Sequence, residues 1–221
     1  MHESLDRDGC ATLAQLLDAD QRRELRNAYS DAGRFRSRVV MQRHNFGRGE
    51  YQYFADPLPP LVQELRERLY AHLAPAANRW AGLLGEAADF PPRHSQFRAR
   101  CHAAGQARPT PLLLRYGPGD YNCLHQDLYG GVVFPLQVVF LLSEPGADFD
   151  GGELVLVEQR PRMQSRARVV PLQAGDAAVF AVRQRPARGV RGHYRAQLRH
   201  GVSEIRRGER LTLGIIFHDA A

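Results

Sequence analysis

The chain has 221 residues, 43% hydrophobic and 24% charged, the proportions of a globular fold large enough to bury a core. Its thirty basic residues, all arginine, outweigh 24 acids to give a formal net charge of +6. No run of about 18 apolar residues offers a membrane span, and residues 1–8 lack the apolar stretch of a secretory signal, so a cytoplasmic protein without membrane contact is expected.

The three cysteines, Cys10, Cys101 and Cys123, are odd in number and contain no CxxC pair, which argues against a disulfide framework and a structural zinc. In chain order, Thr12 and Gln15, then Asp18 and Gln21, sit at capping-box spacing. Short apolar faces accompany them (Leu13, Leu16 and Leu17, then Leu25, Ala28 and Tyr29), so the first part reads as helical. Between Asp31 and Asp56 the pattern is poor and polar, as in loops or short strands. From Pro57 onward Leu58, Leu61, Val62, Leu65, Leu69 and Leu73 follow helical spacing. Pro75 is expected to open a third helix through Trp80 and Leu84. Phe90-Pro91-Pro92 breaks the pattern, and a further helix is expected over 95–104, with Cys101-His102 packing on it.

After Gly105 the character changes. Short β-type runs alternate with Gly/Pro turns at 112–116, 132–142, 153–158, 168–172, 177–182, 194–202 and 211–217. So many strands in so short a stretch predict an α+β protein of one domain. Residues 106–221 would form a double-stranded β-helix (jelly roll) core, and residues 1–105 a mainly helical supporting layer.

The segment His125-Gln126-Asp127, with His200 farther on and Arg210 ten residues after that, carries the chemistry. Residues two apart on a strand face the same side, so His125 and Asp127 can share one metal. His200 must come from a distant strand, and in a double-stranded β-helix the second and seventh strands lie together. Two imidazoles and one carboxylate suit Fe(II) and leave positions open on it for a co-substrate and O2. HxD is a short motif that chance produces in a chain with 9 His and 24 acids. Its weight comes from context: a β-run at 132–142, Gly151-Gly152-Glu153, Gly175-Asp176 leading into Val179-Phe180, then His200 and Arg210. The planar fork of Arg210 suits a bidentate carboxylate, here the far end of 2-oxoglutarate. Thr212, two residues on and on the same face, can add a hydroxyl. Cys123 reads as a buried strand thiol, with lining of the metal site as the alternative.

The run Arg115-Tyr116-Gly117-Pro118-Gly119-Asp120-Tyr121-Asn122-Cys123-Leu124-His125-Gln126-Asp127 resembles the first metal motif of Fe(II)/2-oxoglutarate dioxygenases, especially the alkylated-DNA-repair (AlkB-type) enzymes. The region from about Cys101 to Ala221 resembles a bacterial oxygenase family proposed to act on damaged nucleic acid. Its marks are residues 105–111 (GQARPTP), 158–166 (EQRPRMQSR) and 213–219 (LGIIFHD). The resemblance implies His125, Asp127 and His200 as metal ligands and Arg210 and Tyr116 as co-substrate residues. It implies Fe(II) and 2-oxoglutarate as cofactors, with ascorbate as the reductant in vitro. A substrate would be hydroxylated or oxidatively demethylated, foremost a modified base in nucleic acid. The chain departs from the repair enzymes at two places. Leu114 stands where they have Asn, and Ile216 where they have a second Arg.

Charge is uneven along the chain. Residues 111–159 are net −6 and residues 160–221 net +9, with ten arginines and only Asp176 opposing them at 160–199. Such a basic stripe is the footprint of a polyanionic partner. The Pro- and Gly-containing first half of residues 183–199 reads as a loop just before the His200 strand. Arg188 and Arg191 would meet phosphates there, and His193 or Tyr194 would stack on a base. A solvated Arg loop, or a lid over an acidic small molecule, is the rival reading. Arg160, Arg162, Arg166 and Arg168 read as a solvated face. Tyr121, Asn122 and Tyr129 flank the first metal motif and are candidates for the substrate pocket, with core packing as the rival for each. Two other functions remain open: a hydroxylase of a protein side chain or small metabolite, and a metal-free β-barrel binding module. The oligomeric state is left open by the sequence.

Overall fold

A computed structural model describes residues 1–221. In chain order the first elements are α1 (His2–Asp8), β1 (Cys10–Leu13), α2 (Ala19–Ala28), β2 (Phe35–Val40), β3 (Gly47–Arg48), β4 (Glu50–Phe54), α3 (Pro60–Leu83) and α4 (His94–Ala103). There follow β5 (Leu112–Tyr116), β6 (Tyr121–His125), β7 (Leu136–Leu141), β8 (Phe149–Gly151), β9 (Leu154–Gln159) and β10 (Arg166–Val170). The last are β11 (Ala177–Ala181), β12 (Gln184–Gly189), β13 (Gly192–Val202), β14 (Ile205–Gly208) and β15 (Arg210–Ile216).

Two antiparallel sheets face each other in the double-stranded β-helix expected from the strand pattern. The larger runs β1-β11-β7-β15-β5-β4-β2, the smaller β10-β9-β13-β6-β3 with β12 added to β13, and β14 pairs with β8. β15 shows how sequence alternation sets the layers. Leu211, Leu213 and Ile215 join the core that also holds Val62, Leu69, Trp80 and Phe97 from α3 and α4. Arg210, Thr212, Gly214 and Ile216 face the other way and line a cavity between the sheets. α3 therefore forms the backing of the large sheet. No helix is long and apolar enough to cross a membrane.

Three expectations change. The Asp18–Gln21 capping box forms, with Asp18 accepting from the Gln21 N–H at 2.8 Å, and it starts α2. The Thr12–Gln15 spacing does not start a helix. Residues 10–13 are an edge strand paired with residues 177–180 of β11, and the Gln15 N–H is taken by Asp176 at 2.9 Å; tertiary pairing outweighs a local cap. Pro75 opens nothing. It lies inside the 24-residue α3, where the buried neighbours Leu73, Ala76, Ala77 and Trp80 offset the lost helix bond. Residues 184–189 are strand, not loop. β12 pairs with β13 alone, so Pro186 sits on a sheet edge, where its missing N–H is tolerated. Residues 1–105 also supply more than a helical layer: β1, β2 and β4 extend the large sheet and β3 the small one.

Two buried histidines, His94 on α4 behind the large sheet and His218 beside Tyr129 next to the cavity, make stability depend on pH. Burial, and then the Arg66 charge, pushes His94 down to about 3; burial pushes His218 down to about 4. Both imidazoles are neutral in the fold and free to protonate when it opens, so below pH 6.5 the unfolded chain binds more protons. Stability is therefore fully present above pH 6.5 and falls as pH drops toward 4, by about 1.4 kcal/mol per pH unit per histidine. Urea midpoints measured from pH 7 to 4.5 should decline throughout that window. A flat profile would contradict the neutral burial of both rings.

Candidate active site

The site begins with a strand pairing. His125 on β6 and His200 on β13 are direct cross-strand partners, and two residues on β6, Cys123 and Leu124, then oppose one on β13, Gly201, before Asn122 pairs with Val202. This bulge lets Asn122 and His125, three apart in sequence, both serve the cavity. It needs glycine at position 201, where a Cβ would lie 2.6 Å from the Asn122 carbonyl oxygen. The bulge also turns Cys123 outward: the thiol is exposed at the cavity, not buried in a strand.

The imidazole centroids stand 4.1 Å apart. Asp127, just past the end of β6, reaches both: its Oδ2 lies 3.2 Å from His200 Nε2 and its Oδ1 3.6 Å from His125 Nε2. One ligand atom from each residue lies within 4.8 Å of the other two. The His125 Nδ1–H donates to the Cys123 carbonyl at 2.8 Å, which leaves the Nε2 lone pair free to face a metal. Burial, reinforced by the neighbouring His200, lowers the His125 pKa and favours that neutral form. Burial alone would raise Asp127, but His200, His125 and Tyr129 outweigh it and hold the carboxylate well below its usual range. A neutral His125 and an ionised Asp127 are the forms in which these two side chains bind a divalent cation.

Asp127 is held from behind. The Tyr129 hydroxyl donates to its Oδ1 at 2.8 Å, and the Tyr53 hydroxyl donates to Tyr129 at 3.0 Å. Tyr129→Phe should weaken Co(II) or Zn(II) binding about tenfold with the fold intact, as seen when a carboxylate ligand loses its outer hydrogen bond. Unchanged affinity by titration calorimetry would show that Asp127 needs no such support.

Across a cavity of about 420 Å³ lies Arg210. It is 2% exposed, its Nε has no partner, and its guanidinium carbon stands 5.7 Å over the Tyr116 ring. Burial pushes its pKa down to about 10, which leaves it charged at neutral pH. The Tyr116 hydroxyl accepts from the Asn122 amide at 3.2 Å. Gly152, at φ 62°, gives Arg210 its seat, since a Cβ there would come within 2.8 Å of the Arg210 Cδ. Glu153 acts on Arg210 only at a distance and no carboxylate touches it; a buried cation without a contacting partner is costly, and a bidentate carboxylate ligand removes the cost. Two imidazoles and a carboxylate at one end of the cavity and this unpaired guanidinium beyond them fit Fe(II) with 2-oxoglutarate.

Of the residues singled out from sequence, His125, Asp127, His200, Arg210, Tyr116, Thr212, Asn122 and Tyr129 line this one cavity. Tyr121 does not. It is 37% exposed and pairs with Arg48 on β3. Arg188 and Arg191 do not reach the cavity either. Arg188 pairs with His193 near the tip of the β12–β13 hairpin, seven residues along β13 from His200, or roughly 24 Å at strand rise. Because 184–189 is strand, the hairpin carries these arginines away from the mouth. Four of the ten arginines of the basic stripe are internally paired: Arg160 and Arg185 with Glu158, Arg168 with Asp8 and Arg195 with Glu86. Sequence reasoning missed Tyr51 and Tyr53, which line the cavity from β4, and Phe46 at its mouth. The Tyr51-x-Tyr53 alternation was the available signal.

A family described as "Oxygenase, catalysing oxidative methylation of damaged DNA" matches residues 49–220. Two Mycobacterium tuberculosis proteins, from strains CDC 1551 and H37Rv and both described as uncharacterized, are 51% identical over 168 residues, 76% of this chain and 72% of theirs. Among solved structures, a Pseudomonas putida prolyl-4-hydroxylase is 19% identical with a TM-score of 0.58, covering 100% of this chain and 97% of its own. A Trichoplax adhaerens prolyl hydroxylase is 16% identical with a TM-score of 0.59, at 99% and 87% coverage. A Burkholderia pseudomallei protein of the 2OG-Fe(II) oxygenase family is 18% identical with a TM-score of 0.53, at 100% and 91%. These likenesses show the fold. With the family match over most of its length and the facial triad His125, Asp127 and His200 assembled in the barrel, the chain belongs to the Oxygenase-NA family of 2-oxoglutarate/Fe(II) oxygenases.

Proposed function

We propose that this oxygenase removes a methyl group from a base nitrogen in damaged DNA. The observation that carries the co-substrate assignment is Arg210, a buried guanidinium with no partner in the same cavity as the triad. The family description supports the substrate class. When bound, Fe(II) with 2-oxoglutarate and O2 supplies a two-electron oxidation of a C–H bond, with succinate and CO2 as co-products. The oxidised N-methyl carbon leaves as formaldehyde, and its nitrogen recovers a hydrogen.

The residues of the chain orient and enclose. Arg210 and Thr212 hold the distal carboxylate of 2-oxoglutarate, and Tyr116, fixed by Asn122, packs beneath the arginine. Tyr51, Tyr53 and Tyr129 form an aromatic wall beside the triad, suited to the flat face of a base. The base must leave its stack to enter.

A second reading has its own support. Leu114 and Ile216 line the cavity where the repair enzymes carry polar side chains, so the walls also suit a protein side chain or small metabolite. Mass spectrometry decides, after incubation of N-methylated oligonucleotides, peptides and metabolites with Fe(II), 2-oxoglutarate and ascorbate. Loss of one methylene mass from the oligonucleotide, matched by succinate, is the expected result. Gain of one oxygen on a peptide or metabolite, with untouched DNA, would overturn the base assignment.

A further inference from the structure

The mouth of the cavity is unusually apolar for an exposed surface. Phe46 is 48% exposed, Leu124 45% and Leu128 41%, and all three border the same opening. Exposed large apolar side chains gathered around one cavity mark a contact surface. Phe46 is fixed there by its backbone: its carbonyl accepts from the Cys123 N–H at 2.9 Å and its N–H donates to the Met41 carbonyl at 3.2 Å. The ring stacks on the exposed His44 ring, with centroids 5.4 Å apart and planes 23° from parallel. Asn45 between them adopts φ 59°, so the chain doubles back and sets the two rings side by side. Arg43 and Arg48 flank this pair in sequence. Both are exposed, and neither takes part in the ion pairs that occupy so many other arginines of the chain.

A stacked aromatic pair at the opening of the cavity, on a short segment that also carries two exposed arginines outside any ion pair, matches one partner chemistry closely. Bases stack on the ring faces and phosphates meet the arginines. A peptide without acidic side chains would satisfy the apolar rim but would leave both cations without a counter-charge. We infer that the segment 41–48, not the arginine-rich segment 160–199, is the nucleic-acid contact. A single strand would stack the base next to the target on Phe46 and place its flanking phosphates on Arg43 and Arg48. This rests on the proposed DNA substrate and names where the strand lies.

The test is fluorescence-anisotropy titration of a labelled, N-methylated single-stranded oligonucleotide of about ten nucleotides against wild type, Phe46→Ala, Phe46→Trp and Arg43→Ala/Arg48→Ala. Circular dichroism and Tm confirm folding of each. Phe46→Ala should weaken binding about tenfold, and Phe46→Trp should retain it. The double arginine variant should bind more weakly and flatten the slope of log K against log salt by about 1.4, two phosphate contacts at the single-strand value. Wild-type affinity and salt slope in both the Ala and the double variant would place the strand elsewhere and overturn this inference while leaving the DNA substrate standing. Failure of wild type itself to bind the oligonucleotide at low salt, with turnover of a peptide or metabolite, would overturn the substrate reading instead.

Discussion

Asp127→Ala should lower 2-oxoglutarate turnover by roughly three orders of magnitude, about 4 kcal/mol at 1.4 kcal/mol per factor of ten. Asp127 is the only anionic group of the triad, and it bridges two imidazoles at 3.2 and 3.6 Å. Without it two neutral rings remain, and a hard divalent ion loses the oxygen ligand that suits it. Metal affinity should collapse with activity. Removal of metal from wild type by a chelator should reproduce the defect, and added Fe(II) should rescue wild type alone. The substitution empties a site beside solvent-reachable groups, so the fold should persist, as Tm will report. An alanine variant that still binds metal tightly and turns over 2-oxoglutarate would place the reactive centre elsewhere.

Arg210→Met should raise the KM for 2-oxoglutarate about a hundredfold, the effect of losing two charge-assisted hydrogen bonds of about 1.5 kcal/mol each. The same change should stabilise the ligand-free protein. The wild-type guanidinium is buried with Nε unsatisfied, and replacing such a charge by an apolar side chain of similar length can gain about 1–4 kcal/mol. Two opposed readings follow from one variant: a higher Tm without ligand, and loss of the Tm increase that 2-oxoglutarate gives wild type. A merely structural arginine would lower Tm and leave KM unchanged. An unaltered KM would refute its role as the carboxylate anchor.

The catalytic core was legible because its signals are local or periodic. β5 appears where the apolar run at 112–116 placed it, and β15 within one residue of 211–217, since alternation along each strand is dictated by two unlike faces. The triad was legible because His125 and Asp127 lie two apart and His200 falls within the β-type run at 194–202. What could not be read was anything decided by a partner distant in sequence. Residues 10–13 became strand because β11 offered an edge, against a local cap. Residues 184–189, rich in Gly and Pro signals, became strand because β13 is long enough to pair with them. The arginines of 160–199 resembled a free basic stripe, and only tertiary structure shows Asp8, Glu86 and Glu158 taking up Arg168, Arg195 and Arg185. The polar segment 31–56 hid Phe46, Tyr51 and Tyr53, whose importance depends on where β3 and β4 dock.

The direct pairing of His125 with His200 gives the protein a built-in proofreading of its own assembly. A slip of β13 by a single residue would turn His200 to the opposite side of its sheet and disperse the triad. Cation capture therefore reports that the two central strands have found their correct alignment. It also clasps segments far apart in the chain, so the loaded protein should resist proteolysis across the small sheet at denaturant concentrations where the stripped protein is cut.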